Sequence, residues 1–200
     1  IDEYIGDLRA AIEASPDCAS HHYNLGLALL SKRDLVAAEE CFLAAVEHSP
    51  RLAEAYVQLG GLCLQRGDLE GCLNYNKEAA NSQPRFPVAW ANIGFVHLQR
   101  GEANQAIPAF KKAVKWDPDF VQAISSLGVA YFMQGDLDNS IAHSEQALKL
   151  YPDFAPAYNN LALAWMEKGD GAKAVEYADQ AVKHGFEVPA DFLKELEAYR

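Results

Sequence analysis

No stretch of this chain approaches the roughly 18 consecutive apolar residues that a membrane-spanning helix needs. No basic, apolar and small-residue sections open it as a secretory signal would. The first residue is Ile1 rather than Met, which reads as an excised or processed fragment. The compartment expected is the cytoplasm, with a periplasmic or secreted location after signal removal as the alternative. Positive charge is in deficit: 17 Lys and Arg against 28 Asp and Glu leave a net charge of −11. Such a surface repels phosphate backbones and anionic lipid, so neither a nucleic-acid partner nor membrane insertion is expected. Cysteine is sparse. Cys18, Cys41, Cys63 and Cys72 include no Cys-x-x-Cys pair, and a chain this long does not need disulfide staples. They read as small packing residues.

Catalytic and ligand-binding patterns are missing as well. The histidines His21, His22, His48, His97, His143 and His184 form no His-x-x-x-His or Cys/His cluster, so no metal site is expected. The glycines come singly and make no phosphate-cradling loop. Acidic pairs such as Glu39-Glu40 read as solvated charge on outer helix faces. No nucleophile can be placed beside a base. The expectation is a protein with no cofactor that is not an enzyme.

What the chain does have is an internal period. Prolines fall at Pro16, Pro50, Pro84, Pro118 and Pro152, each 34 residues from the last. The same interval separates Gly26, Gly60, Gly94 and Gly128, followed by Ala162. It separates Ala11, Ala45, Ala79, Ala113, Ala147 and Ala181, and again Gly67, Gly101, Gly135 and Gly169, with Arg33 in the first copy. Four series in one register rule out chance, and a period of this length marks a repeat architecture.

Each unit reads as two helices. In residues 87–118, Trp90, Ile93, Gly94 and His97 recur at three- and four-residue steps and so share one helix face. Gly101 can take the left-handed backbone that ends a helix. A second stripe follows in Ala106, Ala109, Phe110 and Ala113. Pro118 then stops it, because proline lacks a donor and disfavours helix in the residue before it. Gly94 and Ala106 let the two backbones approach, as do Gly26 with Ala38, Gly60 with Cys72 and Gly128 with Ser140. Two helices cannot bury both their faces, so each unit must lean on the next.

In this pattern the chain resembles the tetratricopeptide repeat family. The family's motif is matched by Trp90, Ile93-Gly94, Ala106, Phe110, Ala113 and Pro118. Tyr56, Leu59-Gly60, Ala79 and Pro84 match one unit earlier, and Tyr158, Leu161, Ala174 and Ala181 match later. The resemblance implies an all-α, right-handed superhelical solenoid whose first helices line the concave side. Residues 1–200 read as one such domain: a half repeat at 1–18, full repeats at 19–52, 53–86, 87–120, 121–154 and 155–188, and a capping helix at 189–200. In the half repeat, Tyr4, Leu8 and Ala11 are expected on the buried side. In the capping helix, Phe192, Leu196 and Tyr199 should shield the last repeat. The half repeat leaves an apolar edge with no such cover.

Several positions depart from the motif. Arg33 replaces a turn glycine and should strain that turn by about 1 kcal/mol. Pro108 falls inside a second helix and should bend it. Asn76 and Ser144 stand where Phe42 and Phe110 stand elsewhere, which calls for looser packing or a polar contact. His97 and Cys63 occupy the slot of Tyr131 and Trp165 and read as core. A disulfide between Cys63 and Cys72 inside their repeat is the alternative for those two.

On the first helices, the residues not needed for core packing are the candidates for binding. One lane is apolar: Leu27, Phe95, Val129 and Leu163, with Gly61 as a gap. A second runs through Leu30, Leu64, Leu98, Phe132 and Met166 and reads as inter-repeat packing at least in part. Either lane, if exposed, would be an apolar patch that monomers rarely leave open. A polar lane lies beside them: Asn24, Gln58, Asn92, Ser126 and Asn160. Side-chain amides both donate and accept. Members of the family hold a peptide backbone with a ladder of this kind; the alternative is purely local hydrogen bonding.

The full candidate groove is Tyr23, Asn24, Leu27, Val57, Gln58, Ala91, Asn92, Phe95, Ser125, Ser126, Val129, Asn159, Asn160 and Leu163. None is Lys or Arg. The matching places of the family's chaperone-tail clamp hold Tyr23, Leu27, Gln58, Gln122 and Ser126, which speaks against that role. The expected function is an interaction scaffold. Its partner would be a protein or peptide with an apolar segment, laid along the groove as a strand or an amphipathic helix. The alternatives are a homo-oligomerisation module and a targeting arm of a larger protein.

Overall fold

A computed structural model describes residues 1–200. It is all-helical. The helices are α1 (Asp2–Ala14), α2 (Ala19–Ser31), α3 (Leu35–His48), α4 (Ala53–Gln65), α5 (Leu69–Ser82), α6 (Pro87–Gln99), α7 (Ala103–Trp116), α8 (Val121–Met133), α9 (Leu137–Leu150), α10 (Ala155–Glu167), α11 (Gly171–Lys183) and α12 (Ala190–Leu196). A 3-10 turn at Glu197–Tyr199 follows. The helices pack in sequence as helix–turn–helix pairs. The chain forms two compact units, Ile1–Val96 and His97–Arg200.

Local chemistry sets the helix ends at the repeat interval. Gly67, Gly101, Gly135 and Gly169 all have φ between +73° and +83°. Beyond each, a backbone N–H reaches back over the turn, as from Asp68 to the Cys63 carbonyl at 2.9 Å and from Asp136 to that of Tyr131 at 3.0 Å. These bonds satisfy carbonyls that the helix end leaves open. Arg33 makes the same turn at φ 62° and is the sole residue other than glycine with positive φ. The next residue caps the second helix. The carboxylates of Asp34, Asp68, Asp136 and Asp170 accept from the N–H groups of Ala37, Gly71, Asn139 and Lys173 at 2.8–3.2 Å. Helix α7 runs on through Pro108.

The small-residue pairs hold the two helices of a repeat together, and the large residue above them differs. A Cβ on Gly26 would fall 2.6 Å from the Phe42 ring, and one on Gly128 would fall 3.0 Å from the Ser144 hydroxyl. Phe42, Asn76, Phe110 and Ser144 are all fully buried. At Asn76 and Ser144 the structure supplies polar contacts. Asn76 Nδ2 donates to the Cys72 carbonyl at 2.8 Å, and the Ser144 hydroxyl to that of Ser140 at 2.9 Å. Buried polar groups have to be paired in this way. Cys63 and Cys72 are buried free thiols.

Neighbouring repeats are also clasped at their turns. Lys32 at the end of α2 bonds Asp2 of α1, and Lys168 at the end of α10 bonds Asp138 of α9 at 2.5 Å. Gln134 and Asn104 make the neutral version of the same contact. Val36 stands at that slot in the first full repeat, and there Arg66 turns to Glu39 instead, through two bonds at 2.5 and 2.8 Å. Glu39 is therefore ion-paired, not free solvated charge.

The ends differ from the sequence reading in one respect each. On α1, Ile5 and Leu8 are buried, but Tyr4 is 51% exposed. Its slot holds Ala38, Cys72, Ala106, Ser140 and Ala174 elsewhere, always small because a first helix presses on it. No first helix covers Tyr4. At the other end, Leu196 of α12 is buried against Ala162, Ala174 and Ala178, with Phe192 beside it; full burial of a leucine contributes roughly 1.5–3 kcal/mol. Tyr199 stays half exposed, yet its ring lies on Gly171 so closely that any Cβ there would collide. That glycine replaces the Leu35, Leu69 and Leu137 of other repeats.

Candidate functional site

The first helices α2, α4, α6, α8 and α10 turn one face to core and leave another open. In residues 1–96, Leu27 and Phe95 lie on the open face at 36% and 37% exposure, and Leu64 is equally exposed. Gly61 is exposed as well. Tyr23, Asn24, Val57, Gln58 and Asn92 are half-buried, and Ala91 is buried. In residues 97–200, Ser126, Val129, Asn160 and Leu163 are half-buried, whereas Ser125 and Asn159 lie beneath the surface. Ala91, Ser125 and Asn159 thus form floor rather than wall. They share one slot of the repeat, and over Ser125 lies the Asn160 amide of α10.

The polar lane is tied into the protein itself. Asn92 Nδ2 donates to Asn76 Oδ1 at 2.9 Å. Asn160 Nδ2 donates to the Ser125 hydroxyl at 3.0 Å and to its carbonyl at 3.4 Å. Gln58 hydrogen-bonds the Tyr23 phenol, so the 23–58 and 125–160 contacts are the same contact in two places. Asn92 would meet Val57 by that rule; it turns to Asn76 of α5 instead. Burial, with the Glu54 carboxylate second, pushes the Tyr23 phenol above its ordinary value, against the Gln58 bond. The amides that register α4 on α2 and α10 on α8 therefore keep only part of their capacity for a ligand.

Within residues 97–200, Val129, Phe132, Asn160 and Leu163 come together around a small, partly open hollow of ≈ 30 Å³. Three of the four walls are apolar, and the Asn160 amide forms the polar rim. It is an apolar dimple with one amide at its edge. Phe132, from the second apolar lane, lines this hollow and also packs against Ile141, Leu161 and Ala164, as inter-repeat packing in part requires.

Gly61 has a different character from Gly26 and Gly128. A Cβ on it would meet nothing within 4 Å, and its backbone lies outside the left-handed region. Glycine inside a helix is about 1 kcal/mol less favourable than alanine, and here neither packing nor backbone geometry explains it.

No group of three or more His, Cys, Asp and Glu side chains is arranged to hold a metal ion. His97 pairs with Glu102 at 2.6 Å, and His184 pairs with Asp153 at 3.4 Å and stacks on Tyr158 with ring centroids 5.1 Å apart. His22 Nε2 donates to the Pro16 carbonyl at 2.7 Å, where Trp90 and Tyr158 donate to the carbonyls of Pro84 and Pro152. These contacts fasten α2, α6 and α10 to the turns before them.

Comparison with known proteins agrees with the architecture. The TPR repeat family model matches residues 96–135 and 130–169, and a tetratricopeptide repeat model matches residues 5–51. The chain is a tetratricopeptide repeat protein, of a family that generally serves protein interaction rather than catalysis. No curated protein matches it by sequence. Among solved structures it is similar to YrrB, described as a TPR protein with an unusual peptide-binding site, at 21% identity and TM-score 0.75, over 89% of this chain and 92% of that one. It is similar to PilW, a type IV pilus biogenesis factor, at 20% identity and TM-score 0.76, over 88% and 81%. It is also similar to MamA from Desulfovibrio magneticus RS-1, at 20% identity and TM-score 0.74, over 83% and 94%. At these identities the likeness is one of fold. No helix is long and apolar enough to cross a membrane.

Proposed function

We propose that the protein is a non-enzymatic scaffold that binds an apolar peptide or helix of a partner protein on the open face of its first helices. The observation that carries this reading is the hollow walled by Val129, Phe132, Asn160 and Leu163. Exposed Leu27 and Phe95 support it from residues 1–96. Partly open apolar walls beside an amide suit the tip of an apolar side chain with its backbone alongside. The test uses 12-residue peptides selected from a displayed random library on the purified chain, with affinities measured by calorimetry. Val129→Glu and Leu163→Glu should each abolish binding, while Val182→Glu on the second helix α11 should leave it intact. Binding indifferent to both groove charges would remove the reading.

A second reading, self-association, rests on α1, where Ile1 and Tyr4 are more than half exposed. Light scattering across a dilution series decides it: a monomer at every concentration ends it.

A further inference from the structure

Gly61 sits in the interior of α4, between the slots of Leu27 and Phe95 in the exposed lane of residues 1–96. Nothing inside the protein asks for a glycine there. An added Cβ would meet no atom within 4 Å, whereas one on Gly26 would strike the Phe42 ring at 2.6 Å. A helix-weakening residue with no internal reason points to something outside the chain that uses the space.

The repeat shows what that space is. In residues 97–200 the hollow is walled by Val129, Phe132, Asn160 and Leu163. The same four slots three repeats earlier hold Leu27, Leu30, Gln58 and Gly61. Gly61 therefore lacks the side chain that Leu163 places in the corresponding slot.

We propose that Gly61 forms a notch that admits one large apolar side chain, aromatic or leucine, carried on a basic segment of another protein. This rests on the groove reading above and adds the chemistry of the occupant. The apolar half of that chemistry follows from Leu27, Leu64 and Phe95, all exposed around it. The basic half follows from charge. Helices α2, α4, α6, α8 and α10 contain no Lys or Arg, and their carboxylates are Glu54 and Glu167. The whole chain carries −11. Every Lys and Arg lies on second helices, turns or ends, so an acidic segment would find no partner on this face and a basic one would find Glu54 about two turns along α4 from the notch.

The experiment uses the selected 12-residue peptides on the full chain. They should carry Trp, Phe or Leu within a few positions of Lys or Arg. Gly61→Leu, which fills the notch, should weaken them on the order of tenfold to a hundredfold. Gly6→Leu, on an equally open glycine of α1, should not change affinity. Glu54→Lys should weaken binding, and the loss should shrink at high salt. Gly61→Ala alone should raise the melting temperature by about 2–4 °C. A lower melting temperature would show that the glycine has an internal role, and would overturn the proposal. So would selected peptides that are acidic. If Val129→Glu and Phe95→Ala abolish binding while Gly61→Leu does not, the groove stands and the notch falls. If all three are ignored, both fall.

Discussion

The repeats at 19–52 and 53–86 share a register, a length and a hairpin, yet they fill the same central slot in opposite ways. The first packs the Phe42 ring over Gly26. The second packs Asn76 over Gly60, and the amide donates to Cys72 and accepts from Asn92. The ring stabilises its own hairpin by dispersion and removal from water, without needing any other repeat. The amide has to be paired, and one of its pairs is Asn92, on the first helix of the following repeat. A polar residue in the core thus couples one repeat to the next and draws in a side chain that would otherwise face a ligand.

The sharpest way to test this contrast is to delete each residue. Phe42→Ala should lower stability by about 3–5 kcal/mol, since a fully buried phenyl leaves a cavity in the hairpin. Asn76→Ala should cost less, about 1–3 kcal/mol, chiefly by stranding the groups that Asn76 pairs. Urea unfolding followed by circular dichroism would measure both. Equal losses would mean that the two slots do the same work. The next effect concerns the glycines beneath. Gly60→Ala sets a Cβ against Asn76 Nδ2, so the amide must turn away from Cys72 or Asn92, at about 1–3 kcal/mol. Adding Asn76→Ala to Gly60→Ala should recover part of that loss. Strict additivity would show that the collision is not its source.

These pairs mark how far the sequence could be read. The hairpins, their register and the small residues between helices were legible because the same requirement is written four or five times at one interval. Asn76 and Ser144 were visible as exceptions, but the partner of Asn76 was not. Asn92 lies 16 residues away on another repeat, and its slot mates pair elsewhere. Tyr4 shares a helix face with Leu8 and Ala11, but its slot-mates such as Ala38 are buried because a first helix covers them. Ala91, Ser125 and Asn159 lie on the open side of a lone helix; a helical wheel omits the neighbouring α10, whose Asn160 lies over Ser125. The aspartate caps and the loss of leucine at Gly171 were both written in the 34-residue register and signal through it, the first as a fifth series and the second as its breach.

The two repeats differ again at their turns. Arg33 and Gly67 hold the same left-handed backbone, at φ 62° and 77°. Only the arginine carries a Cβ that crowds it, so Arg33→Gly should stabilise the chain by about 1 kcal/mol and raise its melting temperature by about 2–4 °C. The reverse change, Gly67→Arg, should lower it by a similar amount. If Arg33→Gly is neutral, greater freedom of the unfolded chain offsets the relief of strain.

The smallest effect lies where these repeats are clasped together. Hydrogen bonding from the Arg66 guanidinium, reinforced by its charge and opposed by partial burial, holds the Glu39 carboxyl below its ordinary value of 4.5. The folded chain therefore binds a proton at Glu39 less readily than the unfolded chain does. The stabilisation is fully present above pH 4.5 and is lost as pH falls through the lower folded value. Arg66→Gln should flatten the acid slope of stability in that window and leave stability near pH 7 little changed, because the pair is partly exposed and screened. Asp2, whose carboxyl is lowered by Lys32 in the corresponding clasp, titrates over a neighbouring range, so the comparison needs Lys32→Gln alongside. If the slope survives both substitutions, the turn clasps contribute nothing to acid stability, and the repeats adhere through their buried faces alone.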